Sequence, residues 1–254
     1  MAGSHVHALY LHRPGGLHAA EPHVKLAATL LFVLAVVATP REAFWAFGAF
    51  AGMLAVATAA ARVPPGFVAR RMIVEIPFLL FAFFLPIVGQ GERVEVLGWS
   101  LSQSGLWAAW NILAKATLGA WASILLAATT QIPDLLDGFR RLRTPRVITA
   151  IMGFMVRYLD VIVGEWNRMR VALRSRGYRP RNLRQAGALA AASGVLFIRS
   201  YERGERVYLA MLSRGYDGEM PDLDGATPAG RQWLVAAVMV AAAAVITTLG
   251  WVTR

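Results

Sequence analysis

The residues best suited to binding chemistry belong to a tetrapeptide that occurs twice. Ser-Arg-Gly-Tyr stands at 175–178 and again at 213–216, so that Arg176 and Arg214 occupy equivalent positions. A guanidinium group presents several hydrogen-bond donors in a planar fork and binds anionic groups such as carboxylates and phosphates. Because glycine follows each arginine, the pattern predicts a charged group held at the end of a helix.

The sequence before each tetrapeptide predicts the helix that carries it. Gly177 and Gly215 stand where a helix ends in a left-handed residue, and the tyrosine that follows can pack back on the last turn. The preceding Ser175 and Ser213 are small enough for another backbone to approach. Residues four apart share one helix face. Such a series precedes each copy: Arg168, Ala172 and Arg176 in the first, Arg206, Ala210 and Arg214 in the second.

Two equal helix ends favour a partner that offers two equal pockets. An ordinary helix stop and binding to anionic lipid headgroups are the alternatives, but headgroups require charge and not a repeated shape. The predicted partner-binding residues are therefore Ser175, Arg176, Gly177, Ser213, Arg214 and Gly215, supported by Arg168, Ala172, Arg206 and Ala210.

Composition places these helices in a membrane protein. The 254 residues are 57% apolar, with a mean hydropathy of +0.49 and a net charge of +11. Soluble domains are about 45–50% apolar. The chain has no cysteine, which excludes disulfides and thiolate chemistry. The expected fold class is an all-α integral membrane helical bundle with long amphipathic cytoplasmic helices.

Five uncharged or nearly uncharged stretches predict the membrane-spanning helices. They cover 24–39, 43–61, 72–89, 105–130 and 231–251. We expect 62–71 and 90–104 to be loops, and Pro77 and Pro86 to kink the third span. Lys115 within the fourth span is predicted to face protein, where it would pair with Glu75 or contact a partner subunit.

Charge divides the chain into four predicted regions. They are a cytoplasmic N-terminal tail at 1–23, four spans at 24–130, a cytoplasmic region of amphipathic helices at 131–230 and a last span at 231–254. The third region holds 16 of the 26 basic residues. Loop 62–71 carries +3 and loop 90–104 carries −1, which predicts a cytoplasmic N-terminus and an external C-terminus in the cell inner membrane. Because Arg157 and Asp160 interrupt 147–163, we expect that stretch to form a helix that packs against the bundle and lies along the membrane, half immersed. A further membrane span is the alternative.

Other sequence features predict no metal or catalytic site. The five histidines, at 5, 7, 12, 18 and 23, are interpreted as part of a tail, although His-x-His can bind Co²⁺, Ni²⁺ or Zn²⁺. The stretch DGEMPDLDG at 217–225 is interpreted as an acidic surface loop, since the bidentate glutamate of a calcium loop is missing. The P-loop pattern G-x-x-x-x-G-K-[ST] is absent, and so are G-x-S-x-G and H-E-x-x-H.

Three stretches carry a resemblance to a known family. They are EPHVKLAATLLFVLAVVATP at 21–40, the run from IPDLLDGFRR to RSRGY at 132–178, and RSYERGERVYLAMLSRGYDG at 199–218. Together they make the chain similar to the transmembrane T component of energy-coupling factor (ECF) transporters, and within it to the cobalt-type CbiQ proteins. That family is usually described with Ala-Arg-Gly or Ala-Arg-Ser tips. Here serine replaces alanine in both tips and keeps the position small.

The resemblance implies a non-catalytic coupling subunit that serves the uptake of cobalt, or of nickel. Two cytoplasmic ATP-binding-cassette ATPases would each receive one helix tip, with Arg176 and Arg214 at the joints. ATP and Mg²⁺ would be bound by the ATPases, and Co²⁺ or Ni²⁺ by a membrane-embedded substrate-binding subunit, so this chain would hold no cofactor. The lipid bilayer is the remaining partner, and no nucleic acid is expected.

Two other functions remain open at this point. A membrane transferase that depends on metal and diphosphate would use the acidic cluster at 217–224, but it would need a second aspartate-rich motif. A basic membrane scaffold would bind anionic lipid or nucleic acid in proportion to its total arginine content, and binding would fall with salt. The coupling function predicts instead that Arg176 and Arg214 matter more than Arg179, Arg181 or Arg184.

Overall fold

The structure is a computed structural model, and it describes residues 11, 20–89, 92–96, 99–179, 182, 186–218 and 230–253. Helices dominate these residues, which confirms the all-α class. They divide into two compact units. The helices of the first are α1 (Pro22–Ala38), α2 (Phe44–Ala60), α3 (Pro65–Arg71), α4 (Ile76–Val88), α5 (Gln103–Thr129), α6 (Ile132–Arg141) and α9 (Gly230–Val252). The second contains α7 (Arg146–Ser175) and α8 (Gly187–Leu212).

Apolar side chains from α1, α2, α5 and α9 form the core of the first unit. Phe32 on α1 meets Phe50 on α2 edge to face, with ring centroids 5.5 Å apart. Leu118 on α5 and Ala243 on α9 are buried in the same cluster. The outer surfaces of the spans remain apolar, as lipid contact requires, and Phe81 and Phe83 on α4 are more than half exposed.

Four helical segments are long and apolar enough to cross a membrane, judged by length and composition. They are Pro65–Val88, Gln103–Thr129, Arg146–Ser175 and Gln232–Val252. Pro22–Ala38 and Phe44–Ala60 are apolar but have 17 residues each. The third segment contains 147–163, and helix α7 continues through Arg157 and Asp160 without a break. The placement of 147–163 along the membrane surface stays a prediction.

The predicted loop at 62–71 was wrong over most of its length. Residues Pro65–Arg71 form α3, and the 3-10 helix Met72–Glu75 joins α3 to α4. Proline is well suited to the first turn of a helix, where its missing N–H is not needed. The Pro64-Pro65 pair therefore begins a helix here. The 3-10 segment lies directly before α4, whose first turn contains Pro77, and Pro86 lies inside α4. The kinks expected at these two prolines stay predictions.

The predicted loop at 90–104 was also wrong in part. Residues Arg93–Val96 and Trp99–Ser102 form strands β1 and β2, which pair antiparallel with Arg93 opposite Ser102. The hydroxyl of Ser102 accepts a hydrogen bond from the backbone N–H of Gly105 and caps α5. Gly105 lies so close to α4 that a Cβ there would be 2.5 Å from the Leu85 carbonyl oxygen.

Candidate coupling tips and the joint between α7 and α8

The first tetrapeptide ends α7 in the geometry that its sequence predicts. Gly177 has a φ of +81°. The backbone N–H of Gly177 donates to the carbonyl of Arg174, and that of Tyr178 to Leu173, both at 3.0 Å. This pair of bonds defines the Schellman motif and satisfies carbonyls that the helix end would leave without partners.

The second tetrapeptide repeats this geometry at the end of α8. Gly215 has a φ of +83°. Its N–H donates to Leu212 and the N–H of Tyr216 donates to Met211, again at 3.0 Å. The prediction of two helix ends of the same construction is confirmed, although the two helices differ in length and in the rest of their sequence.

The small residue of each tip uses its hydroxyl within its own helix. Ser175 donates to the carbonyl of Ala172, and Ser213 donates to the carbonyl of Ala210, both at 2.9 Å. Each serine therefore presents a compact surface with its hydroxyl hydrogen already bonded. Because the hydroxyl is used within the helix, serine can replace alanine at this position without adding a free donor to the tip surface.

The arginines of both tips are exposed, as are the residues of the supporting faces. Arg206 forms an ion pair with Glu202 one turn earlier, at 3.9 Å, which leaves its guanidinium largely solvated. Among the residues that the structure describes, each tip thus offers an exposed charged group on an ordered helix end. Such a group can bind a carboxylate of another protein at the entropic cost of ordering its side chain alone, because the backbone is already ordered.

A polar joint connects α7 and α8, and sequence reasoning missed it. Glu165 on α7 receives hydrogen bonds from Arg199 at 3.3 Å and from Arg203 at 3.4 Å, both on α8. The sequence did carry a signal for this contact, because Glu165 and Arg203 are separated by the same 38 residues as Arg176 and Arg214. An acidic and a basic residue at equivalent positions of a repeat can pair where the repeats meet.

The prediction for Lys115 is confirmed in one part and wrong in the other. The ammonium group of Lys115 donates to the carbonyl of Val37 on α1, so that it faces protein as expected. Its bond is to a helix end and not to a carboxylate. The carboxylate of Glu75 is buried and accepts a hydrogen bond from the hydroxyl of Thr117.

The remaining candidate features lie mostly outside the described residues. This applies to the histidines at 5, 7, 12 and 18 and to 219–225 of the acidic stretch. The interpretation of His23 as part of a tail was wrong: it lies in the first turn of α1 and is buried, with its ring 5.5 Å from that of Trp233. Within the part of the chain that the structure describes, no three histidine, aspartate or glutamate side chains are grouped to hold a metal ion.

Comparison with known proteins connects this geometry to a family. The sequence profile described as "CbiQ: Cobalt transport protein" matches residues 16–223. The chain is 29% identical over 219 residues to the energy-coupling factor transporter transmembrane protein EcfT of Bacillus selenitireducens, covering 80% of each chain. It is 28% identical over 189 residues to the cobalt transport protein CbiQ of Rhodobacter capsulatus, covering 73% of this chain and 74% of that one.

An uncharacterized protein of Methanocaldococcus jannaschii, MJ1089, is 30% identical over 145 residues, which are 56% of this chain. The match spans only 53% of that relative, about half its length. The profile, in contrast, includes both arginine tips and extends over most of the sequence. The chain is a multi-pass membrane protein, and it belongs to the CbiQ family of cobalt transport proteins.

Proposed function

We propose that this chain is the transmembrane coupling subunit of an ECF-type importer of cobalt ions, with nickel as the alternative cargo. It transmits the motion of two cytoplasmic ATPases to a substrate-binding subunit in the membrane. The observation that carries the proposal is the identical construction of the two helix ends at 175–178 and 213–216. The relatives named EcfT and CbiQ support it.

Two equal tips fit a pair of identical or closely related ATPases. Two such subunits related by a two-fold axis present the same groove twice. Each groove would receive one tip, and its carboxylates would pair with Arg176 or Arg214. A desolvated charge pair of this kind typically costs about 2–5 kcal/mol when one partner is truncated. The nucleotide and Mg²⁺ belong to the ATPases, and this chain has no catalytic role.

The surfaces of α7 and α8 support a second partner. Neither helix has a buried residue. Met155 on α7 and Phe197 on α8 are 66% and 72% exposed. Apolar side chains displayed on this scale indicate a protein or lipid contact. We assign these surfaces to the substrate-binding subunit, which holds the Co²⁺ or Ni²⁺, and to the bilayer.

The orientation follows from the distribution of charge. The coupling helices at 131–230 carry +6 and the loop at 62–71 carries +3, whereas 90–104 carries −1. Positive loops are retained on the cytoplasmic side. The tips therefore face the cytoplasm, where the ATPases are located, while the C-terminus is external.

The direct test is copurification with the ATPases from detergent extracts. Arg176→Ala, Arg214→Ala and the double variant are compared with wild type and with Arg181→Ala/Arg184→Ala, which removes the same charge as the double tip variant. We expect each single tip variant to retain less ATPase and the double variant to lose it, while the control binds like wild type. Equal binding by all variants contradicts the proposal.

Ionic strength separates this proposal from a basic scaffold. A scaffold that binds anionic lipid or nucleic acid would respond equally to any two arginines, and its binding would fall steeply with added salt. Binding of the same variants to anionic vesicles, at low and at high salt, measures both responses. A loss of vesicle binding that depends only on the number of arginines removed would favour the scaffold.

A further inference from the structure

The joint between α7 and α8 places one carboxylate against two guanidinium groups. The side chain of Glu165 is only 14% exposed, whereas those of Arg199 and Arg203 are 58% and 42% exposed. A carboxylate removed from water is costly unless it is paired and hydrogen-bonded. Arg199 and Arg203 are four residues apart and so extend from one face of α8. They hold Glu165 from two successive turns.

The joint lies at the same distance from the tip of α7 as from the tip of α8. Arg176 follows Glu165 by 11 positions, and Arg214 follows Arg203 by 11 positions. At 1.5 Å per residue, each arm is about 16 Å long from the joint to its tip. A rotation at the joint would therefore move both tips by similar distances.

The apolar packing beside the joint is incomplete. A cavity of about 340 Å³ lies between α7 and α8, with Tyr158 and Ile162 on one side and Val207 and Tyr208 on the other. Glu165 and Arg203 also line it. Close-packed side chains would fix the angle between two helices. Here the cavity leaves space for the angle to change, and the hydrogen bonds of Glu165 to Arg199 and Arg203 are directional contacts that can restrict it.

We propose that Glu165 is a positioning residue that holds α7 and α8 at a defined angle through Arg199 and Arg203, so that displacement of one tip is passed to the other. This inference rests on the proposed coupling function. Arg176 and Arg214 would bind the two ATPases, while Glu165 would determine whether their movement does mechanical work on the substrate-binding subunit.

The absence of cysteine makes the joint accessible to measurement. Arg179→Cys and Asp217→Cys place one spin label directly after each tip of the full chain, assembled with its ATPases and substrate-binding subunit. We expect a narrow distribution of label distances in the wild-type background and a broad one with Glu165→Gln. Cobalt transported per ATP hydrolysed should fall about five-fold, within the range that mutations of coupling elements produce, while copurification of the ATPases stays unchanged.

Two variants separate positioning from a general effect of charge. Glu202→Gln removes a glutamate of the same helix pair whose ion pair, within the described residues, is with Arg206 on its own helix, at 3.9 Å. It should leave the distance distribution and the transport ratio at wild-type values. The exchange Glu165→Arg/Arg203→Glu rebuilds an opposite-charge pair at the joint and should narrow the distribution again and recover part of the transport.

An unchanged distribution and an unchanged transport ratio in Glu165→Gln overturn the inference. A loss of transport that the exchange does not recover also overturns it. If Glu165→Gln does not accumulate in membranes, Arg199→Gln and Arg203→Gln, which each leave one partner, replace it. The proposed function fails separately, through retention of the ATPases by the tip variants, and the distance measurement on this chain remains decisive for the joint in that case.

Discussion

The ammonium nitrogen of Lys115 on α5 lies 2.7 Å from the main-chain oxygen of Val37, in the last turn of α1. Lys25 makes the converse contact, since its ammonium nitrogen lies 2.9 Å from the oxygen of Thr129, the last residue of α5. These are the two lysines of the chain. Lys115 on α5 caps the C-terminal end of α1, and Lys25 on α1 caps the C-terminal end of α5. The two helices therefore run antiparallel.

The capping of α1 explains how a short helix can end near the membrane interior. Its 17 residues span about 25 Å, less than the roughly 30 Å of a bilayer core. The last four carbonyls of a helix have no partner within it, and lipid offers none. All four are satisfied in α1: Ala35 by Thr39 and Thr247, Val36 by Thr39, Val37 by Lys115 and Ala38 by Trp251.

We therefore predict that Lys115→Met destabilises the bundle without affecting the tips. Loss of the donor leaves the Val37 carbonyl without its partner, at a cost of about 1–3 kcal/mol. Thermal unfolding in detergent measures the effect, and copurification with the ATPases reports on the tips. Ser123→Ala is the control, because that hydroxyl is exposed and bonds within α5. Wild-type stability in Lys115→Met would show that the cap contributes nothing.

The two lysine caps should act independently. Lys25 and Lys115 contact opposite ends of the α1–α5 pair, and effects at sites more than about 7–10 Å apart usually add. The free energy lost in Lys25→Met/Lys115→Met should equal the sum of the two single losses within about 0.5 kcal/mol. Denaturant unfolding of the four proteins measures this. A double variant no worse than either single one would mean that the two caps form one cooperative unit.

Features of the fold that are determined by residues close together in the chain could be predicted from the sequence. Uncharged runs placed the apolar helices α1, α2, α4, α5 and α9. The glycine after Arg176 and Arg214 placed both helix ends, because each signal lies within a few residues of the structure it determines. The hairpin Arg93–Ser102 was missed since its strands have only four residues each. Too few alternations fit into four residues to distinguish a strand from a polar loop.

Contacts distant in the chain were not predictable in the same way. Lys115 was expected to face protein, because a lysine is costly in lipid. Its actual partner, a carbonyl 78 residues away, depends on how α1 packs against α5. The same applies to Glu165, whose partners on α8 are 34 and 38 residues away. The only signal in the sequence for the Glu165–Arg203 contact is that these residues are 38 positions apart, as Arg176 and Arg214 are.

Replacing glycine by alanine should weaken the helix ends at the tips, whereas the same replacement at Gly194, within α8, should strengthen the helix. Gly177→Ala and Gly215→Ala place a Cβ on residues with φ near +80°, at a cost of about 1–2 kcal/mol. The last turn of each helix should fray, and less ATPase should copurify. Hydrogen exchange of the amides at 174–178 and 212–216 measures the fraying.

The control for these variants is Gly194→Ala within α8. Gly194 has an ordinary helical φ, and a Cβ there would have no atom within 4 Å. Alanine should stabilise the helix by about 1 kcal/mol. The ATPases should copurify as with wild type. Equal behaviour of Gly194→Ala and the tip variants would contradict the role assigned to the left-handed residues.

Single cysteines in this cysteine-free chain test the orientation of the membrane domain. Thr253 directly follows α9 and Arg179 directly follows the first tip. The excess of arginine in 131–230 predicts that these positions lie on opposite sides of the membrane. In intact cells, a thiol reagent that does not cross the inner membrane should label Thr253→Cys. Arg179→Cys should react only after the membrane is opened. Labelling of both positions from outside would mean that α7 crosses the bilayer and carries its tip out of the cytoplasm, where no ATPase could bind it.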